Sequence, residues 1–340
     1  MYQSGFFDLT NRYKKLNEKD PLTYLNKLID WDDFRPILEK VRPSSKKKGR
    51  PSFDPLLMFK ILILQSLYNV SDDEIEFQIR DRYSFCRFLG LIPEDRVPDA
   101  KTIWLFREQL TKAQVINDLF DSFDVQLQEH GLIARKGQIV DASFIEAPKQ
   151  RNSREDNETI KQGDAPESFK ANPNKLRQKD LDARWTKKND EKHYGYKNHL
   201  AIDNKHKLIR EYEVTSAEVH DSQVFTELLS DNTSKDVWAD SAYRSEAGEL
   251  ELHAMGYRSQ VHEKGKRNAP LTEKQQAANK KKSKVRARVE HVFGSMENEQ
   301  GGMFVRTIGI ARAKTKIGLM NLTYNMRRMV CLLRISVSAI

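Results

Sequence analysis

Three acidic side chains, Asp141, Asp240 and Glu290, stand out by position rather than by type. Asp141 closes a short β-branched run, GQIVDAS, and Asp240 ends a second, DVWAD, while Glu290 lies on a helical stretch that follows a basic tract. Two neighbouring strands of one sheet would present Asp141 and Asp240 side by side, and a helix packed over that sheet would bring Glu290 to the same point. Carboxylates forced together repel, and a hard divalent cation relieves the repulsion. Mg²⁺ prefers octahedral oxygen ligands and is commonly held by one or two carboxylates with phosphate and water. Two such ions about 3.5–4 Å apart can activate a water or a 3′-hydroxyl on one side of a phosphate and stabilise the leaving oxygen on the other. The expected cofactor is therefore a pair of Mg²⁺ ions, replaceable by Mn²⁺, on Asp141, Asp240 and Glu290. Cys86 and Cys331, the two cysteines, cannot by themselves make a tetrahedral zinc site or a secreted disulfide framework. Spacing alone is a weak signal, because strand-end aspartates are common and most are structural.

The elements that must position these acids divide the chain in two. Residues 1–130 read as mostly helical. PLLMFKILILQSLYNV is a buried helix; Ser71 and Glu74 form a capping box for EIEFQIRDRYSFCRFLG, which stops at Gly90; Asp99 caps KTIWLFREQL; and a further helix spans roughly Gln114 to His130. From Gly137 the pattern becomes that of a mixed sheet with helices on it. YGYKNHLAID and KLIREYEVTSA are strands joined by a turn at Asp203-Asn204-Lys205, and GYRSQVHEK is one more short strand. Residues 147–192 carry almost no apolar runs and read as an exposed, partly disordered polar insertion. The helix bearing Glu290 is expected from about Lys280, and AKTKIGLMNLTYNMRRMVCLLRI is a final amphipathic helix. The domains are thus 1–130, helical, and 131–340, α+β with the insertion at 147–192.

Charge points to the partner. The 340-residue chain carries a net charge of +9, with 38% hydrophobic residues, enough for a core. Clustered Lys and Arg favour a polyanion, nucleic acid before membrane. The clusters are Lys46, Lys47, Lys48 and Arg50, then Lys264, Lys266, Arg267, Lys280, Lys281, Lys282, Lys284, Arg286 and Arg288. No export signal or membrane span is legible, so a cytoplasmic protein is expected.

QIVDAS, HYGYKNHLAID, VTSAEVHDS, VWADSAY and RARVEHVFG, in that order, resemble the DDE transposases of bacterial insertion sequences, and among them the group numbered five. GRPSFDPLLMFKILILQSLYNVSDDEIEFQIRDRYSFCRFLGL and PDAKTIWLFREQL are similar to that group's helical leading domain, so the resemblance covers about Lys48 to Arg328. It implies a ribonuclease-H-like fold, a mixed sheet flanked by helices, with the acids on the first and fourth strands and a later helix. Carried over residue by residue, these are Asp141, Asp240 and Glu290. Related groups show Tyr-x2-Arg-x3-Glu-x6-Lys around the glutamate. Arg286-x3-Glu290 fits, but Ser283 and Glu297 stand at the outer positions, so no DNA-contact role carries over to those two.

The implied activity is metal-dependent cleavage at the ends of an insertion sequence and strand transfer into target DNA. The partners are double-stranded DNA, both terminal inverted repeats and target, and a second copy of the chain in a dimer or higher assembly. Two rivals remain: a ribonuclease-H-like nuclease without strand transfer, and a DNA-binding protein in which catalysis has lapsed. Around the acids, Glu146 and Glu246 read as surface groups, Asp203 as a turn residue and Asp221 as a helix cap. His291 and Trp238 read as packing groups, with base stacking a second reading for Trp238. Arg286 lies one turn before Glu290 and is equally an ion-pair partner or a phosphate contact.

Overall fold

The computed structural model describes residues 20–41, 52–92, 94–134, 136–188, 190–229, 234–265 and 269–338. It forms two compact units, residues 1–130 with 325–340, and residues 131–324. Among the described residues no helix is long and apolar enough to cross a membrane.

The first unit is helical: α1 (Pro21–Leu28), α2 (Arg35–Val41), α3 (Pro55–Tyr68), α4 (Asp72–Asp81), α5 (Tyr83–Leu89), α6 (Ala100–Ala113) and α7 (Ile116–Glu129). α3 is apolar nearly all round and is its centre, with Met58, Phe59 and Ile61 to Leu64 buried. Asp54 accepts from the Leu56 amide and Pro55 opens the helix, so the chain starts it with a donor-poor turn already satisfied. Phe34 and Phe59 pack with ring centroids 5.1 Å apart, and Trp31 meets Phe88 edge-on at 5.5 Å. The expected single helix after Ser71 is two, α4 and α5. The break falls at Arg82, whose backbone is extended because the chain must turn to bury Phe85 and Phe88 as well as Ile75 and Ile79. Ser71 caps α4 by accepting from the Glu74 amide, but Glu74 bonds Gln78 and does not return the favour.

In the second unit β1 (Gln138–Glu146) is central. Helices α8 (Arg154–Lys161), α9 (Glu167–Lys170) and α10 (Pro173–Arg177) follow, then β2 (Arg184–Lys188), β3 (Glu191–Asp203), β4 (Ile209–Ser216), β5 (Asp236–Trp238), α11 (Glu246–Ala254), β6 (Arg258–Ser259), α12 (Glu273–Gln300) and α13 (Ile310–Ser338). The sheet runs β2-β3-β1-β5-β6, with β4 also on β3; β3 is antiparallel to β1, and β5 and β6 are parallel to it. This is the helical leading region followed by a mixed sheet flanked by helices that the sequence leads one to expect. One sheet face covers Val224, Phe225, Tyr243 and Leu252, and the other covers Ala313 and Ile317 of α13. Gly195 lets β3 cross β1 closely, since a Cβ there would stand 2.3 Å from the Ile145 carbonyl oxygen.

Three readings change. Residues 147–192 are not an exposed disordered loop: Ile160, Phe169 and Ala183 are buried, and Asp180 accepts from the Tyr196 hydroxyl at 2.7 Å. A few well-spaced apolar residues suffice to dock short helices on a sheet, and a search for apolar runs cannot see them. α12 starts at Glu273 rather than near Lys280, because Thr272 and Gln275 form a reciprocal capping box. Asp221 is not the cap: the His220 ring accepts from the Ser222 amide, and Asp221 instead pairs with Lys197 at 2.8 Å.

Candidate active site

β1 and β5 set the geometry. Their parallel register aligns Ile139 with Trp238, so Asp141 and Asp240, each two residues further on, rise at the same level on the same face. β5 ends at Trp238, which leaves Asp240 just beyond the strand, where its carboxylate accepts from the Ala242 amide at 2.6 Å and caps a 3₁₀ turn over Ser241–Tyr243. The Trp238 ring lies over Gly137, where an added methyl would meet it at 2.5 Å; this is the packing role expected of it.

Asp141 is largely buried, and its carboxyl is pushed up to about 6. Burial is the main cause, and the charge of Asp240 adds to it; the Arg286 guanidinium, the Ala142 amide and Lys188 pull the other way. α12 packs over this face with Val289, Val292 and Met296 buried. Arg286 Nη1 donates to Asp141 at 2.5 Å while Nη2 reaches Glu290 at 3.4 Å, so one guanidinium spans the two acids. Glu290 itself is 63% exposed. Among the described residues no three His, Cys, Asp or Glu side chains already stand close enough to hold a metal ion. The strand pair brings Asp141 and Asp240 together; Arg286 lies between Asp141 and Glu290.

Neighbours that the sequence did not single out complete the surroundings. The His262 amide donates to Ala239 O at 3.1 Å and its ring meets Ser283 Oγ at 3.3 Å; burial, then Arg286, holds the ring below its ordinary pKa. Tyr243 is buried on the opposite face, its hydroxyl raised well above the usual value by burial and then by Asp141, Asp221 and Asp240. His199, fully buried and bonded to Thr215 Oγ1 at 2.9 Å, is lowered to about 4 by burial. The alternation of β3 and the repeated acids of VTSAEVHDS and VWADSAY were the available signals, but nothing local says that they share a centre.

Of the basic residues, Lys264, Lys280, Lys281, Lys284 and Arg288 are exposed. Lys282 is instead held by the Val261 carbonyl at 2.8 Å, and Arg288 donates to the Asn204 carbonyl at 2.8 Å. Lys46, Lys47, Lys48, Arg50, Lys266 and Arg267 lie outside the described residues.

The family described as Transposase DDE domain matches residues 134–326, and that described as Transposase domain (DUF772) matches residues 10–109. A solved chain, from a cryo-EM structure of the piggyBac transposase synaptic complex with hairpin DNA, is similar at 12% identity and a TM-score of 0.47, over 94% of this chain and 76% of that one.

Proposed function

The chain belongs to the transposases with a DDE domain, and from that premise we propose that Asp141, Asp240 and Glu290 form the centre with which it cuts DNA at the ends of an insertion sequence and joins them to target DNA. The order of motifs favours the group numbered five. The observation that carries the assignment is the β1–β5 register, which aligns two carboxylates, one of them buried and raised to about 6 partly by the other.

The family works with divalent metal ions, and the donor set here suits one. Two carboxylates share an edge, and the charge bonded to Asp141 is a guanidinium, which a hard cation can replace. Asp141 and Asp240 would hold the cations, two Mg²⁺ or Mn²⁺ ions, with Glu290 completing the set. Bound there, they supply Lewis acidity to the attacking and leaving oxygens of a phosphodiester.

The protein's own residues do the rest. Burial of Asp141 keeps bulk water from screening the centre, and the cap on Asp240 fixes its carboxylate against the strand end. Arg286, once released from Asp141, has the fork geometry to take a phosphate of the substrate. Water first opens the phosphodiester at the element end, leaving a 3′-hydroxyl. That hydroxyl then attacks a target phosphodiester directly, forming one ester as another breaks, with no covalent link to the protein. Exposed Lys264, Lys280, Lys281, Lys284 and Arg288 supply phosphate contacts that set DNA register, and the helical first unit serves DNA binding and dimerisation. Two ends must be joined together, so the working form on DNA is a dimer or larger.

The test uses labelled element ends, a plasmid target and Mg²⁺. Wild-type protein should nick the ends and transfer a precleaved 3′-hydroxyl end to plasmid. Asp240→Asn, which keeps an acceptor for the Ala242 amide, should lose both reactions by about 10²–10³-fold, in line with loss of an electrostatic group at a transition state, while DNA affinity is kept. Full activity in that variant would refute the assignment.

A further inference from the structure

β3 is longer than the strand it pairs with. Gly195–Asp203 lies along β1, but the backbone of Glu191 to His193 runs past the end of the β1 ladder and ladders only with β2. That overhang of three residues adds about 10 Å. Because β3 is antiparallel to β1 and β5 is parallel to it, the overhang rises from the same end of the sheet as Asp240. The β2–β3 hairpin is thus an arm at the same end of the sheet as the acids.

Its surface chemistry is not what folding asks for. In the ladder Lys187 stands directly opposite Lys192 and Trp185 opposite Tyr194, so the four share one face. Like charges directly opposite each other destabilise a strand pair. Lys187 is partly offset by Asp190 at 2.6 Å; Lys188, on the other face of the hairpin, stands opposite Glu191, and Lys192 has no acid across the ladder from it. Trp185, 43% exposed, rests on the Tyr194 ring with centroids 5.0 Å apart, and a shallow hollow of about 390 Å³ opens between it, Thr186, Lys187 and Lys192. Lys188 lies over the Phe144 ring, three residues along β1 from Asp141, and its charge is felt at Asp141. An exposed indole braced by a second ring, with Lys187 and Lys192 beside it on the same face, complements a polyanion that carries flat bases. A protein partner would be expected to bring apolar side chains to an apolar patch, and the lysines offer none.

We propose that this arm holds the DNA strand leaving the acid centre, Lys187 and Lys192 taking its phosphates and Trp185 stacking on a base freed from the duplex. The inference rests on the transposase reading above. It gives a purpose to a segment, 147–192, whose composition alone suggests only a solvated loop.

The test is fluorescence anisotropy with the full chain, at several KCl concentrations, on a labelled duplex of generic sequence, either blunt or with a short single-stranded 3′ tail. Wild-type protein should bind the tailed duplex more tightly. Lys187→Gln with Lys192→Gln should reduce the slope of log affinity against log salt by roughly 1.4–1.8, two phosphate contacts at 0.7–0.9 each. Trp185→Ala should lose the preference for the tail by about fivefold or more, and Trp185→Phe, which keeps a stacking ring, should restore most of it. Circular dichroism checks the fold of each variant, all of whose changed side chains are exposed. If wild-type protein binds DNA while the variants match it in affinity, slope and tail preference, the arm is not a DNA site and the transposase reading stands. If wild-type protein binds neither duplex, both fall.

Discussion

Arg286 is the side chain whose removal is most informative, because two acids depend on it. It donates to Asp141 at 2.5 Å and reaches Glu290 at 3.4 Å, with Arg286 and Asp141 only 22% and 13% exposed. Arg286→Met keeps the stem and removes the charge. At pH 7.5 the Asp141 carboxyl, raised to about 6, is ionised, and the substitution leaves it buried beside Asp240 without its nearest cation. A hydrogen bond to a charged group contributes about 1.5–3 kcal/mol. Taking roughly 2 kcal/mol, and about 2–4 °C per kcal/mol for a unit near 200 residues, the melting temperature should fall by about 4–8 °C in chelator. The sign of the pH dependence follows from the shift. Asp141 binds its proton more tightly folded than unfolded, so its ionised form costs stability above about 6 and the cost disappears as pH falls below that value. At pH 5 the carboxyl is protonated in both proteins, the ion pair no longer counts, and the difference should shrink to under about 2 °C. Mg²⁺ at pH 7.5 should raise the melting temperature of the variant more than that of the wild type, since the cation no longer displaces a guanidinium. Thermal melts followed by circular dichroism measure all of this. An equal drop at both pH values would show that the loss does not come from pairing with an ionised Asp141, and the electrostatic account of the site would fail.

Two further substitutions test the frame around the acids. His199, buried and lowered to about 4, is neutral in the fold and takes up a proton in the unfolded chain near 6.5, so it should cost stability progressively as pH falls from about 6.5 to 4; urea titrations should show His199→Gln flattening that decline by up to roughly 3 kcal/mol, at about 1.4 kcal/mol per pH unit. Gly195 has φ +146° and no room for a methyl, with Ile145 O at 2.3 Å and Ala147 N at 2.8 Å from a built Cβ, so Gly195→Ala should separate β3 from β1; expression as soluble protein with a wild-type melting temperature would contradict the close approach.

Local chemistry carried much of this protein into view. The helix starts at Ser71 and Asp99 were legible because a cap is a contact across two or three residues, and the strands around Asp141 and Asp203 because alternation is a local pattern. The family was legible from motifs kept in order, and with it the three acids as candidates. What sequence could not supply was anything that depends on which element lies beside which. The pairing of β1 with β5 decides that Asp141 and Asp240 share a face, and the packing of α12 decides that Arg286, not Glu290, meets Asp141. Asp221 reads as a cap until β3 brings Lys197 within 2.8 Å of it, and residues 147–192 read as a loop until the sheet offers Phe169 and Ile160 a surface to bury against. Periodicity and capping act over a few residues and so are written in the chain; burial, charge pairing and the pKa of Asp141 come from neighbours tens of positions away or, for Arg286, 145 positions away, and only the folded chain selects them.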